Sequence, residues 1–291
     1  MANATPINRW SGGVVMEMQE NRYLQQLANL NPIASVHEVL PDLVMLRTAI
    51  ANVCLVGEPG RADWVLVDAG VHFFGGRIAE TAEELFRRPP QAIVLTHGHF
   101  DHVGSLQELI ERWDVPVYAH ELELPYLTGQ DNYVEPDPTV GGGLMARMSF
   151  LYPNEGIDLG DRVQALPADH SVPGMPGWQW VHTPGHTVGH VSLFREQDRA
   201  LIAGDAFITT RQESALAVIL QELDVHGPPA YFTPDWAAAW DSVQRLAALK
   251  PQYAVTGHGL PLAGAQLQQG LEKLAREFDT LAIPKHGRYV Q

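Results

Sequence analysis

The sequence predicts an α/β fold, and two observations carry the prediction. Residues 35–70 hold a succession of Val-, Leu- and Ile-rich runs broken by turn residues, and after about residue 75 apolar runs of strand length alternate with segments of helical period. The composition agrees: with 45% hydrophobic and 18% charged residues, the 291-residue chain can bury a sizeable core. No internal repeat or linker divides it, so residues 35–291 are expected to form a single domain behind an N-terminal extension, 1–34.

In the extension, Tyr23, Leu24, Leu27 and Leu30 fit one face of a short amphipathic helix ended by Asn31 and Pro32. VHEVL, LVMLRTAI, NVCLV and WVLVDAG then read as a strand meander, punctuated by Pro41, an EPG turn and Asp63. A helix near 77–88 stops at Pro89-Pro90. AIVL follows as a strand, VGSLQELIERW as a helix and VPVYAH as a strand. At about 128–180 the chain turns rich in Gly and Pro around the apolar LMARMSFLY, which predicts a long loop insertion that either walls a binding site or packs against a second subunit. Beyond it VSLFRE and ALIAGDAFI read as strands, PDWAAAWDSVQRLAAL as a helix, YAVTGHG as a strand and AGAQLQQGLEKLAREFDTLA as a closing helix.

Charge narrows the partners. The formal net charge of -15 repels polyanions and offers anionic membranes little, so a small-molecule substrate is expected in place of nucleic acid or lipid. Cys54 stands alone in the apolar run NVCLV, where a thiol acts as a small buried hydrophobe. The first thirty residues lack the apolar stretch of a signal peptide and no segment reaches eighteen apolar residues, so a cytoplasmic protein is expected, with homo-oligomers compatible with the long loop.

The chemistry is concentrated in THGHFDHVG, residues 96–104, directly after the strand AIVL. His97 and His99, two apart on an extended segment, project to the same side, and Asp101 and His102 follow as the chain turns into the next helix. His186 follows the Pro184-Gly185 turn, Asp205 follows LIAG, and His258 lies in the TGHG after YAV. Glycines stand beside these positions at Gly98, Gly185, Gly204, Gly257 and Gly259, where small residues let backbone crowd around a site. Ligand-type groups just past strand ends imply one shared pocket. Imidazoles suit zinc, iron and other first-row metals, and carboxylates can bridge two cations. Seven such groups exceed what one tetrahedral zinc needs, so two sites roughly 3.5–4 Å apart are the economical division.

The H-x-H-x-D-H spacing of His97, His99, Asp101 and His102, followed by His186, Asp205 and His258, resembles the signature of the metallo-β-lactamase superfamily over roughly residues 35–260. The resemblance implies an αββα four-layer sandwich with metals along one edge of the paired sheets. It further implies that His97, His99 and His186 hold one metal, that Asp101, His102 and His258 hold the other, and that Asp205 bridges them. Two divalent ions are expected, zinc first, with iron or manganese as alternatives. They would generate a hydroxide nucleophile and polarise a carbonyl, while Asp101 passes a proton to the leaving group.

Within the superfamily the ligand set is similar to that of the glyoxalase II and lactonase branches, which implies hydrolysis of an ester, lactone or thioester. Departures narrow the choice. The cysteine-containing β-lactamases place a thiol ligand where this chain has Asp205. Glyoxalase II carries a helical glutathione-binding region after its last histidine ligand, and only 33 residues follow His258. Acyl-homoserine lactonases have a tyrosine where Ile208 stands, and the ribonuclease branch disagrees with the acidic charge. The alternative on the same fold is an iron-dependent oxidoreductase of the persulfide dioxygenase type. His99 opposes a flavodiiron pattern, and the complete ligand set opposes a non-catalytic module.

Among the remaining residues, His182 and His190 are expected to support ligands rather than act as ligands. His170 and His226 fall in loops where they could line the pocket. Phe207, Tyr231, Phe232, Trp236, Met145 and Met148 suit either an apolar substrate wall or, more often for such residues, core packing. Arg211 suits a substrate carboxylate or a surface salt bridge, the commoner fate.

Overall fold

The computed structural model describes residues 34–216 and 223–290; the helix expected within the N-terminal extension lies outside them. The opening meander is β1 (Val36–Leu40), β2 (Leu43–Thr48), β3 (Ala51–Val56) and β4 (Val65–Val67), each antiparallel to the one before it. Two-residue turns fix the register of the first three strands, and Ala49 takes a left-handed conformation in the second of them. Then α1 (Gly75–Phe86), α2 (Phe100–Val103) and α3 (Leu106–Trp113) alternate with β5 (Ile93–Val94) and β6 (Val117–Ala119), which join β4 in parallel. After α4 (Leu124–Leu127) and α5 (Leu144–Met148), β7 (Val163–Ala165) closes a seven-stranded sheet in sequence order. The second, five-stranded sheet consists of β8 (Trp178–His182), β9 (Val191–Arg195), β10 (Ala200–Gly204), β11 (Tyr253–Thr256) and β12 (Leu262–Ala263). β10 and β11 run parallel, joined through α6 (Trp236–Ala248).

Side-chain alternation along each strand builds the layers. In the first sheet Leu46, Val53, Leu55 and Leu66 turn outward onto Ile78, Phe86 and Leu109 of the helices. Their neighbours Met45, Cys54 and Val67 turn inward and meet Trp178, Leu193 and Ile202 of the second sheet. In that sheet Leu201 and Ala203 face outward onto Val243 and Leu246 of α6 and Leu271 of α7 (Gly264–Arg276). β2, β3, β4, β9 and β10 are buried on both faces, and the order is helix, sheet, sheet, helix, the αββα sandwich implied by the resemblance. Cys54 lies buried between the sheets as a small hydrophobe.

Two segments differ from the reading of the sequence. The stretch 128–180 is less of a loop than its Gly and Pro content suggests: it holds a short helix (Leu144–Met148), β7 and the start of β8. β7 has three residues, too few to display a period. The closing helix breaks at Glu277 into α7 and α8 (Phe278–Leu281), with buried Phe278 stacked 5.9 Å from Trp240. Among the described residues, no helix is long and apolar enough to cross a membrane.

Candidate metal centre

The strand ends converge at one rim of the sandwich. The loop after β5 carries His97 and His99, and α2 presents Asp101 and His102 from its first turn. His186 comes from the loop between β8 and β9, Asp205 directly follows β10, and His258 follows β11. Because β10 and β11 are parallel neighbours, Asp205 and His258 leave the sheet side by side, with Nε2 3.0 Å from Oδ2. Gly257 permits this approach: a Cβ there would run into the Asp205 carboxylate. Three overlapping triads, His97–His99–His186, His97–His102–Asp205 and Asp101–His102–His258, each keep their ligand atoms within 4.8 Å of one another. Together they contain all seven residues singled out in the sequence, and all seven are buried.

The hydrogen bonds around the imidazoles decide which nitrogen faces the centre. His258 Nδ1 lies 2.7 Å from the Ile50 carbonyl and His102 Nδ1 lies 2.9 Å from the Asp68 carboxylate; both partners only accept, so each Nδ1 carries the proton. The Thr233 hydroxyl donates to the Pro229 carbonyl, so it accepts from His186 Nδ1 at 3.1 Å. The Thr96 hydroxyl donates to Asp68, so it accepts from His97 Nδ1, also at 3.1 Å. Four histidines are thereby held with Nε2 turned into the same space, where His97 Nε2 and His102 Nε2 meet no hydrogen-bond partner, His258 Nε2 meets the Asp205 carboxylate and His186 Nε2 meets His99. His99 enters from the other side, its Nδ1 2.9 Å from His186 Nε2.

This donor set fits divalent cations. Buried His97 Nε2, His102 Nε2 and Asp205 Oδ1 have no hydrogen-bond partner among the described residues, a costly state for polar atoms unless a cation takes the lone pairs. The contact between His102 Nε2 and Asp205 Oδ1, at 3.5 Å, is too long for a good hydrogen bond. The electrostatics divide the imidazoles into two groups. Burial, reinforced by neighbouring imidazoles, pulls His97 and His186 well below the ordinary histidine range and takes His99 down to about 3, keeping these three neutral. Burial also opposes charge on His102 and His258. There Asp205, joined at His102 by Asp68, outweighs it and raises both. Asp205 is buried too, yet His258 and His102 hold its carboxyl well below the usual range.

His190, Asp68 and Glu123 complete the surroundings. His190 Nε2 accepts the Asp205 N–H at 2.9 Å, and its Nδ1 donates into the hydroxyl relay Thr183, Ser192 and the Ala203 carbonyl. Both nitrogens are used within the protein, so His190 supports Asp205 and has no lone pair to give. Asp68, in a left-handed conformation (φ 62°), accepts from Thr96 N–H, the Thr96 hydroxyl and His102. Neither Asp68 nor Glu123 stands out in the sequence as a site residue. The only signal for Asp68 was its place at the end of the apolar run WVLV, the same strand-end position that the ligands occupy.

Other residues fall away from the centre. His182 stacks on His120 at 4.4 Å, and His170 stacks on Trp180 at 4.2 Å. His226 forms a bridge with Ile208, and Arg211 pairs with Asp224 at 2.7 Å. Trp236 and Phe207 belong to the core on the α6–α7 side of the second sheet. Phe232 does reach the site, with its ring 4.6 Å from His99; Phe100 and Tyr152 continue that apolar wall toward Met145, whose sulfur accepts from the Tyr152 hydroxyl at 3.5 Å.

Comparison with known proteins gives the architecture a lineage. The chain is 46% identical over 239 residues to the probable metallo-hydrolase YflN of Bacillus subtilis, covering 81% of this chain and 90% of that protein. It is 30% identical over 197 residues to the probable metallo-hydrolase YybB of the same organism, covering 68% and 76%. Among solved structures, a beta-lactamase domain protein from Burkholderia ambifaria superposes with a TM-score of 0.57 at 20% identity, covering 85% of this chain and 77% of that one, a likeness of fold. The model of the metallo-beta-lactamase superfamily matches residues 47–258, which include every residue of the three triads, and the chain belongs to that superfamily.

Proposed function

We propose that the chain is a metal-dependent hydrolase that uses two divalent cations, zinc in the first place, to cleave an acyl bond of a small molecule: an ester, lactone or thioester, as in the glyoxalase II and lactonase branches. The observation that supports it most is the convergence of four Nε2 atoms, held by outward Nδ1 hydrogen bonds, around the Asp205 carboxylate, with His97 Nε2, His102 Nε2 and Asp205 Oδ1 left unpartnered. In this reading His97, His99 and His186 would hold one cation and Asp101, His102 and His258 the other, with Asp205, which reaches His186, His102 and His258, shared between the two sets. Divalent cations so held supply Lewis acidity, acidifying water and polarising an acyl oxygen.

The protein's own groups do the rest. Asp101 lies 3.6 Å from His258 Nε2, and burial raises its pKa, which suits it to carry a proton to a leaving group. Phe232, Phe100 and Tyr152 give the rim an apolar wall that limits water beside His99. The net charge of -15 favours neutral substrates over polyanions. Asp205→Ala tests the reading: it should release bound metal and lower hydrolysis across an ester, lactone and thioester panel by more than about 100-fold. Two retained cations with unchanged hydrolysis would contradict it. One iron per chain with oxygen consumption would move the chain to the dioxygenase chemistry.

A further inference from the structure

Glu123 is a carboxylate that the proposed chemistry leaves unused. It ends the short turn Glu121–Glu123 after β6 and is fully buried, and no Lys or Arg among the described residues pairs with it. Burying a carboxylate without a countercharge is expensive unless its lone pairs are filled. They are filled with unusual completeness. Oε2 accepts the Gly98 N–H at 3.0 Å and the Tyr133 hydroxyl at 2.5 Å; Oε1 accepts the Thr187 hydroxyl at 2.7 Å and the Gly189 N–H at 2.9 Å.

The location of those donors gives the arrangement its meaning. Gly98 lies between His97 and His99, and Thr187 directly follows His186. Gly189 precedes His190, the residue that holds the Asp205 backbone. Tyr133 sets its ring 4.7 Å from His99, nearly edge-on. One carboxylate therefore ties the loop from the first sheet that carries His97 and His99 to the loop from the second sheet that carries His186. None of its donors adjoins Asp101, His102 or His258 in sequence. The glycines fit the same device: a Cβ at Gly98 would run into the Tyr133 hydroxyl, and one at Gly189 would lie 2.8 Å from Glu123 Cγ.

We infer that Glu123 is the positioning residue of the His97–His99–His186 cation site, setting the spacing of its three imidazoles without touching the metal; this rests on the division of ligands proposed above. The glutamine variant discriminates, because an amide nitrogen replaces one oxygen. The two hydroxyl partners can turn to accept from it, but the backbone N–H of Gly98 or Gly189 cannot, so one donor faces another.

The test is a titration of the chelator-stripped full-length chain with cobalt or zinc, followed by spectroscopy and calorimetry, with His186→Ala and His258→Ala used to assign the two binding steps. In Glu123→Gln the step that His186→Ala removes should weaken about 10–100-fold. The step that His258→Ala removes should stay within about threefold. Leu267→Ala, a core truncation in α7, controls for lost stability and should move neither step. If Glu123→Gln does not fold, Thr187→Val and Tyr133→Phe each delete one donor and should shift the same step alone. Equal weakening of both steps, or a wild-type titration in Glu123→Gln, would overturn the inference while leaving the functional reading standing. A wild-type chain that takes up no cation would overturn the reading on which it rests.

Discussion

At both ends of the paired sheets this protein buries charge, but in opposite ways. At the end where β3 finishes and β8 begins, a cavity of about 450 Å³ is lined by Asp42, Glu58, Asp63, Arg61, Trp178 and Arg195 among others. Arg195 there is complete: it pairs with Asp42 and Asp198, the latter at 2.6 Å, and lies over the Trp178 ring at 4.9 Å. At the other end the imidazoles have their outward nitrogens satisfied, while inward-facing His97 Nε2, His102 Nε2 and Asp205 Oδ1 are left unpartnered. One end closes its own electrostatics with a guanidinium. The other is left for a cation to close, and that incompleteness, rather than cavity size, marks the functional end.

Acidification should break the contrast most strongly. His99 and His190 are held down to about 3 by burial, against an ordinary value of 6.5. Between those values the unfolded chain binds protons that the folded site refuses, so stability falls as pH drops from 6.5 toward 3. His102 and His258, raised in the fold, contribute stability that is full below the ordinary value and is lost as pH rises through their folded values. The melting temperature of the metal-free chain should therefore decline on the acid side of about pH 6.5, and bound metal should be released there. A flat acid limb with metal retained would contradict the neutral-imidazole account.

A narrower effect is expected from Asp68→Ala, which removes the acceptor of His102 Nδ1 and of both Thr96 donors. It should cost about 10–100-fold in metal affinity, read by competition with a chromogenic chelator. Unchanged affinity would mean that the His102 tautomer needs no support. At the other end, Arg195→Met should cost about 1–3 kcal/mol of folding stability and leave metal affinity untouched, because Asp42 and Asp198 lose their partner far from the rim. A drop in metal affinity in that variant would show that the two ends are coupled.

The sequence displays the ligand residues because their pattern is local: four occupy the one turn after AIVL, and the other three stand within five residues of the runs WQWV, LIAG and YAV. What supports them is not local. Asp68 reads as an ordinary turn residue until the fold brings Thr96 and His102 back to it. Glu123 sits in HELELP beside Glu121, and nothing in that run separates the exposed carboxylate from the buried one, since its four donors come from three other segments. His186 and His190 share one motif, and only their hydrogen bonds tell the imidazole whose Nε2 faces His99 from the one whose Nε2 holds the Asp205 backbone. The strands and helices were legible because apolar runs and helical periods are written in adjacent residues, whereas the four-layer order was implied by the resemblance to the superfamily. The three-residue β7 was too short for that signal.

The central claim is that the rim is built to be completed by two cations. Calorimetric titration of the chelator-stripped chain with zinc, backed by elemental analysis of the protein as purified, tests it most directly. The account predicts two zinc ions per chain, both lost in Asp205→Ala. A stripped chain that keeps its fold and binds no divalent metal would contradict it.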